Sequence, residues 1–267
     1  MTAYEEELSR ILDLLGRVGD RCSQRTHHNE GKFYAAGFAF KLSGHAISAL
    51  TLLRDKSALT ADGRRFLDRT SVCVLARAGC ECFLLFHHIF IAPGGDEDER
   101  QIRYLRWSIE SLRKRQHFET LLPGQAEQLR DERRGIEDAE AEIRGNAAFS
   151  KRCQKQQDQF LDERGRWRPG WAQMATTAGI AKLYARDHYS YLCDHAHTGP
   201  FSVELLKGTM TDEDEAQLRN TVAMTLAVAV ANVVSGLTEL FPEARRLTAD
   251  DSRLIDRWVQ AGRTVSV

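Results

Sequence analysis

Val222-Ala223-Met224-Thr225-Leu226-Ala227-Val228-Ala229-Val230-Ala231 is the centre of a stretch, Thr221 to Thr238, that carries no charge. Its length barely reaches that of a membrane-spanning helix, and Asn232, Ser235 and the many alanines weaken that reading. A segment apolar on every face is instead expected to form a central helix covered by neighbours all round. Just upstream, Thr211 and Asp214 have the spacing of a capping box, which would open that helix.

The segments around it read as the cover. Pro93, Pro123, Pro169, Pro200 and Pro242 each fall where apolar periodicity stops, and between them the spacing is helical, with no convincing strand alternation. Thr2 and Glu5 predict a capped first helix whose buried stripe is Leu8, Ile11, Leu14, Leu15 and Val18. A second helix is expected over Phe33 to Leu53, and a third, long and apolar, from about Ala61 to Ile91, stopped by Ala92-Pro93-Gly94-Gly95. A short last helix is expected behind a second box, Thr248 to Asp251.

From Asp96 to Lys155 the chain is dense in charge, and Leu122, Leu129, Ile136 and Ile143 recur every seventh residue as a narrow apolar seam. Two readings stand for it: a plain surface helix, or a helical hairpin that projects or mediates a homodimer. The expected architecture is an all-α multi-helix bundle, one domain over residues 1–267, with 96–165 a charged helical-hairpin insertion or arm.

At 267 residues the chain can bury a substantial core, and 42% hydrophobic with 28% charged residues places it among soluble folded proteins rather than disordered ones. A net charge of -1 excludes a global basic field, so any RNA contact needs a local patch. The acidic start, Met1-Thr2-Ala3-Tyr4-Glu5-Glu6-Glu7, lacks the layout of a secretory signal, and the cysteines lack paired C-x-x-C spacing. A cytoplasmic protein with reduced thiols and no membrane partner is expected.

Arg186-Asp187-His188-Tyr189-Ser190-Tyr191-Leu192-Cys193-Asp194-His195-Ala196-His197-Thr198-Gly199-Pro200 holds three of the nine histidines where a helix must end. At about 100° per residue, Arg186, Tyr189, Ser190, Cys193 and His197 gather on one side, and Tyr184, His188, Tyr191 and His195 on the other. A small error of helix phase would swap His195 and His197. In the third helix Arg77, Glu81, Leu84 and His88 form one stripe among apolar residues, so the two charges need partners: each other, or Asp194 for Arg77 and His197 for Glu81. This network reads either as a catalytic site or as a register-fixing core.

Asp194-x-x-His197 has the carboxylate–histidine spacing of bundle metal sites, but no second such pair stands in the apolar helices, and no metal ligands are assigned. No Gly-rich phosphate loop, H-E-x-x-H or G-x-S-x-G is present, and no cofactor is expected. Arg103, Arg106, Arg113, Lys114, Arg115 and His117, with Tyr104 and Trp107 interleaved, form a basic strip that could follow a phosphate backbone. Glu110 and Glu119 within it favour a solvated face.

Arg77-x-x-x-Glu81, then Arg103 to Trp107, then Tyr184 and Tyr189-x-x-Leu192-Cys193-x-x-x-His197 before a proline-containing turn resemble a bacterial helical domain family of unknown function. Its members carry an R-x-x-x-E helix and, further along, a Y-x-x-L-S-x-x-x-H helix; here Cys193 stands where serine is usual, a near-isosteric change. The resemblance spans roughly Leu67 to Pro200 and implies that Arg77, Glu81, Tyr189 and His197 are shared site residues. It implies no reaction. The architecture is also similar to HEPN-type helical domains, many of them ribonucleases of defence and toxin systems, which carry an arginine and a histidine close together on one helix. This chain departs from that pattern: Arg186 is too far from His197 and too near His188, and the matching spacing occurs only from Arg21 to His27 or His28.

The expected function is therefore that of an RNA- or nucleotide-directed, HEPN-like ribonuclease in stress or defence. His197 would be the acid–base, Glu81 or Asp194 would orient it, and Arg77 or Arg186 would hold a phosphate beside Tyr189. His195, Arg103, Arg106 and Trp107 would add substrate contacts. Two alternatives stay open: a non-catalytic binding or regulatory module that assembles through the charged hairpin, and a metal-dependent helical enzyme.

Overall fold

A computed structural model of the chain describes residues 2–24, 30–55, 58–59, 65–117, 123–162, 167–182, 184–197, 199–204 and 210–264. They form the helices α1 (Ala3–Ser23), α2 (Glu30–Asp55), α3 (Arg69–Phe86), α4 (Glu97–Arg115), α5 (Gln125–Gly145), α6 (Ala147–Ser150) and α7 (Gln154–Leu161). The remainder are α8 (Trp171–Thr177), α9 (Tyr189–Ala196), α10 (Pro200–Glu204), α11 (Asp212–Leu240) and α12 (Ser252–Thr264). Strand pairing among the described residues is confined to Ala58–Leu59 against Arg65–Phe66, antiparallel. The fold is an all-α multi-helix bundle.

The chain divides into two compact units, one made of Met1–His88 with Trp171–Val267, the other of Ile89–Gly170. In the first unit, local chemistry sets the helix starts. Glu5 donates its N–H to Thr2 Oγ1 at 3.3 Å while Thr2 donates its own to Glu5 Oε2 at 3.2 Å, the reciprocal box that satisfies two orphan donors. Leu8, Ile11, Leu14, Leu15 and Val18 then lie fully buried. Thr211 and Asp214 make the same box for α11.

α11 lies against α1, α2, α3 and α12, which is why apolar residues occupy every side of it. By length and composition Tyr34–Asp55, Arg69–Ile91 and Asp212–Leu240 could each cross a membrane, but 72% of the apolar window of the last is buried against its neighbours in this fold. Gly79 lets α3 come close: a Cβ there would sit 2.6 Å from Leu226 Cδ2 of α11.

Two expectations are corrected here. The third helix begins at Arg69, because Asp68 caps it by accepting from the Ser71 N–H at 3.0 Å; residues 60–64, near the start expected at Ala61, lie outside the described residues. α3 then passes into a π-helical turn, His87–Ile91. Thr248 and Asp251 do not form a box: the Thr248 hydroxyl donates to the Arg245 carbonyl at 2.9 Å, and buried Asp251 accepts from Arg10 Nε at 2.6 Å.

In the second unit α4 and α5 run antiparallel, since Arg115 pairs with Glu132, Arg113 with Glu140, and Gln101 with Glu142. Ile136 and Ile143 of the seam are buried in this unit and Leu129 is half-buried. Leu122 lies outside the described residues.

Candidate active site on α3 and α9

Arg77 and Glu81 are one turn apart on α3, and Arg77 Nε donates to Glu81 Oε1 at 2.9 Å. α9 packs on α3 in the same unit, anchored by buried Leu192. It is preceded by a second π-helical turn, Tyr184–His188, which advances the helix phase before Tyr189. Tyr189 faces α3, and its hydroxyl donates to Glu81 Oε1 at 2.8 Å. The Arg77 guanidinium carbon sits 5.6 Å from the centroid of the Tyr189 ring.

At the other end of α9, His197 is the C-cap, its N–H donating to the Cys193 carbonyl. Gly199 N–H donates to the Asp194 carbonyl, and a Cβ at Gly199 would meet Asp194 Oδ1 at 2.9 Å, so any larger residue would have to displace that exposed carboxylate. This turn sets exposed His197 against α3, where Arg77 Nη1 lies 3.0 Å from Nε2. A guanidinium is donor only, so a hydrogen bond across this contact uses Nε2 as the acceptor.

Four of the expected residues thus converge: Arg77, Glu81, Tyr189 and His197. Arg77 and Glu81 pair with each other, one of the two expectations, while the partners across the helices differ, since His197 meets Arg77 and Tyr189 meets Glu81. Asp194 is exposed, and among the described residues its carboxylate bonds to none of the four.

His195 is the inward histidine. It is 2% exposed, packs edge-on to Tyr191 at 4.9 Å between centroids, and neither ring nitrogen has a partner among the described residues. Burial, reinforced by the Arg69 cation, pushes its pKa below the ordinary imidazole value although Asp194 pulls the other way. Arg186 is exposed and paired with adjacent Asp187, apart from the cluster. The Tyr184 side chain, together with His27 and His28, lies outside the described residues.

The basic strip belongs to the second unit and is largely consumed there. Arg103 pairs with Glu99 at 2.7 Å, Lys114 with Glu110 at 2.9 Å, and Arg113 and Arg115 with α5. Arg106 is 1% exposed and donates to the carbonyls of Phe160 at 2.6 Å and Asp162 at 2.9 Å, which leaves it no surface to offer a substrate. Trp107 lies beside Tyr104, at 6.4 Å between centroids.

Electrostatics act on two members of the cluster, Tyr189 and Arg77. Burial raises the Tyr189 pKa and the Glu81 carboxylate raises it further, so the phenol keeps its proton. Burial works against the charge of Arg77, but Tyr189 and Glu81 outweigh it and the guanidinium pKa is raised. With donors engaged by Glu81 and His197, N–H groups of the fork remain to meet an oxyanion. Glu81 offsets the cation, so the pair orients an anion more than it attracts one. Among the described residues no three His, Cys, Asp or Glu side chains group so as to hold a metal ion.

Sequence reasoning missed Trp171. It is half-buried in α8 with its ring 6.4 Å from that of Tyr189, and both line an apolar pocket in the first unit. The aromatic-rich turn Gly165 to Trp171 was the available signal, but nothing local ties it to a tyrosine on another helix.

A model described as "Family of unknown function (DUF5677)" matches residues 41–216, a span that contains Arg77, Glu81, Tyr189 and His197. No curated protein and no solved structure matches the chain.

Proposed function

The chain belongs to this family of unknown function, and we propose that it is an RNA-directed protein that cleaves phosphodiesters with Arg77 and His197. The observation that carries this reading is the 3.0 Å approach of Arg77 Nη1 to His197 Nε2 on an exposed part of the first unit. HEPN-type ribonucleases use an arginine and a histidine from one helix; here the same side-chain types meet from two.

The chemistry follows from the pair. A phosphate entering the guanidinium fork displaces Nε2 from Arg77 and frees its lone pair as a general base. The neighbouring ribose 2′-hydroxyl gives its proton to Nε2, its oxygen bonds to phosphorus, and the bond to the 5′-oxygen breaks. The leaving 5′-oxygen takes the proton back from the imidazolium. The products are a 2′,3′-cyclic phosphate and a 5′-hydroxyl. Arg77 meets the charge that grows on the non-bridging oxygens. Glu81 fixes the guanidinium, and Tyr189 fixes Glu81.

Metal-analysed protein and its His197→Ala variant, incubated with total RNA and a tRNA pool, test the proposal. Discrete fragments with cyclic phosphate ends are expected from the unchanged protein alone. Equal cleavage by both would refute the assignment of His197. Cleavage by neither, with both folded, would replace the enzyme reading by that of a binding module in which the network ties α9 to α3.

A further inference from the structure

Besides its apolar pocket, the first unit holds a polar cleft of about 400 Å³, set between the start of α3, the chain entering α9 and the first turns of α11. Its walls include Arg69, Asp187, Tyr191, Asp214, Gln217 and Leu218. That volume lies within the roughly 300–1,000 Å³ of small-molecule sites. We propose that the cleft binds a free α-amino acid with a neutral side chain, its carboxylate on Arg69 and its ammonium on Asp214. The site is separate from the phosphodiester cluster, since none of Arg77, Glu81, Tyr189 and His197 lines it.

Arg69 supplies the anion-binding half. It is half-buried, and among the described residues its guanidinium has no hydrogen-bond or ion-pair partner. It is also the first residue of α3, at the end of the helix that is already positive. The preceding carboxylate, Asp68, accepts from the Ser71 N–H and caps the helix instead. A cation at that end does nothing to stabilise the helix, and its planar fork of donors stands open to a carboxylate.

Asp214 supplies the opposite charge. The Thr211 hydroxyl and N–H hold its carboxyl below the ordinary carboxylate range, and Arg69 adds to that pull, so it is ionised at neutral pH. Arg69 and Asp214 feel each other across the cleft yet form no ion pair. Asp187, the other carboxylate of the lining, is already matched by Arg186 at 2.6 Å. Burial lowers the His188 pKa against the pull of Asp187, so that ring adds no charge. One charge of each sign is left without an ion-pair partner. A ligand that answers both carries an anion and a cation a short distance apart, which is the backbone of an amino acid. A phosphate would be repelled by Asp214, and a simple amine would leave Arg69 unmatched. The ligand side chain meets Leu218 and the ring of Tyr191. Tyr191 is a fixed wall, hydrogen-bonded to Cys73 and edge-on to buried His195 at 4.9 Å between centroids.

Calorimetric titration of the full chain near neutral pH with L-leucine, 4-methylpentanoate and 3-methylbutylamine tests this, because the three share a side chain and differ only in their charged ends. L-Leucine is expected to bind about tenfold or more tightly than either of the others. Arg69→Gln should erase its advantage over the amine and keep that over the acid. Asp214→Asn, which retains an acceptor for Thr211, should erase the advantage over the acid and keep that over the amine. Melting curves run alongside identify a variant that fails to fold, in which case the other variant decides. Equal binding of the three probes, or no binding of L-leucine at millimolar concentration, would overturn the proposal. So would an order of the three probes that both folded variants leave unchanged.

Discussion

Arg77 Nη1 and His197 Nε2, 120 residues apart in the chain, lie 3.0 Å from each other. The contact joins an arginine held by Glu81 to a histidine held by the end of a helix, so neither group has to be ordered by a substrate. Preorganisation of this kind is what lets a guanidinium favour a developing oxyanion.

Replacing Arg77 by lysine keeps a positive charge and loses the planar fork that meets Glu81 and His197 at once. Single-turnover RNA cleavage by Arg77→Lys is expected to fall by about a hundredfold, with the far-ultraviolet circular dichroism unchanged. A rate within twofold of the unchanged protein would mean that charge alone suffices.

The tyrosines of α9 should titrate late. Burial and the Glu81 carboxylate push the Tyr189 phenol above its ordinary value, and burial next to Cys73 pushes Tyr191 up to about 12. A spectrophotometric titration should show no difference between the unchanged protein and Tyr189→Phe near pH 10, the ordinary phenol value. A tyrosinate signal lost from the variant at that pH would place Tyr189 in water. The same substitution removes the bond to Glu81 and should cost about 1 kcal/mol in denaturant unfolding.

His195 makes stability pH-dependent. Its folded-state pKa is depressed below 6.5 by burial and by Arg69, so the neutral ring favours the fold. That contribution is fully present above pH 6.5 and is lost as the pH falls through the depressed folded value. His188, lowered by burial, acts in the same direction. Tm measured from pH 7.5 down to pH 5 should drop less steeply in His195→Phe than in the unchanged chain, with a residual slope from His188. Identical slopes would contradict the buried, unpartnered placement.

Gly79 sets the approach of α3 to α11. Gly79→Ala puts a Cβ 2.6 Å from Leu226 Cδ2 and 3.3 Å from Leu42 Cδ1. The overpacking should destabilise the first unit by about 1–3 kcal/mol, read as a lower denaturation midpoint. A stabilised variant would mean that α11 moves away at no cost.

Arg106 should matter to folding and not to chemistry. Arg106→Ala removes two carbonyl contacts and a fully buried side chain, and should lower the stability of the second unit by about 2–4 kcal/mol. RNA cleavage under conditions where the protein stays folded should be unaffected. A loss of cleavage with full stability would return Arg106 to the substrate contacts.

Much of this was legible because it is local. The boxes at Thr2 and Thr211 and the stripe from Leu8 to Val18 depend on neighbours three or four residues away, and all formed. Arg77 with Glu81 stood out as charges in an apolar helix, and Tyr189 with His197 as part of a run dense in titratable groups. Their pairing across the helices did not. Tyr189 and His197 share a side of α9 as regular helical steps predict, but which α3 group each meets depends on how the two helices pack, and His197 reaches Arg77 rather than Glu81. Arg113 and Arg115 looked free because their counter-charges on α5 are far along the chain, whereas Arg103 and Lys114 find theirs one turn away on α4. The true start of α3 lies at Asp68, whose carboxylate caps the helix, whereas the expected start at Ala61 took in the polar residues that precede it.

The most direct test is single-turnover cleavage of a short unstructured RNA by the unchanged protein, Arg77→Ala, His197→Ala and the double variant. If the two side chains act as one unit on the phosphodiester, each single change should cost at least about a hundredfold, and the double variant should be no slower than either. An unchanged rate in His197→Ala, or two small losses that simply multiply in the double variant, would contradict the account.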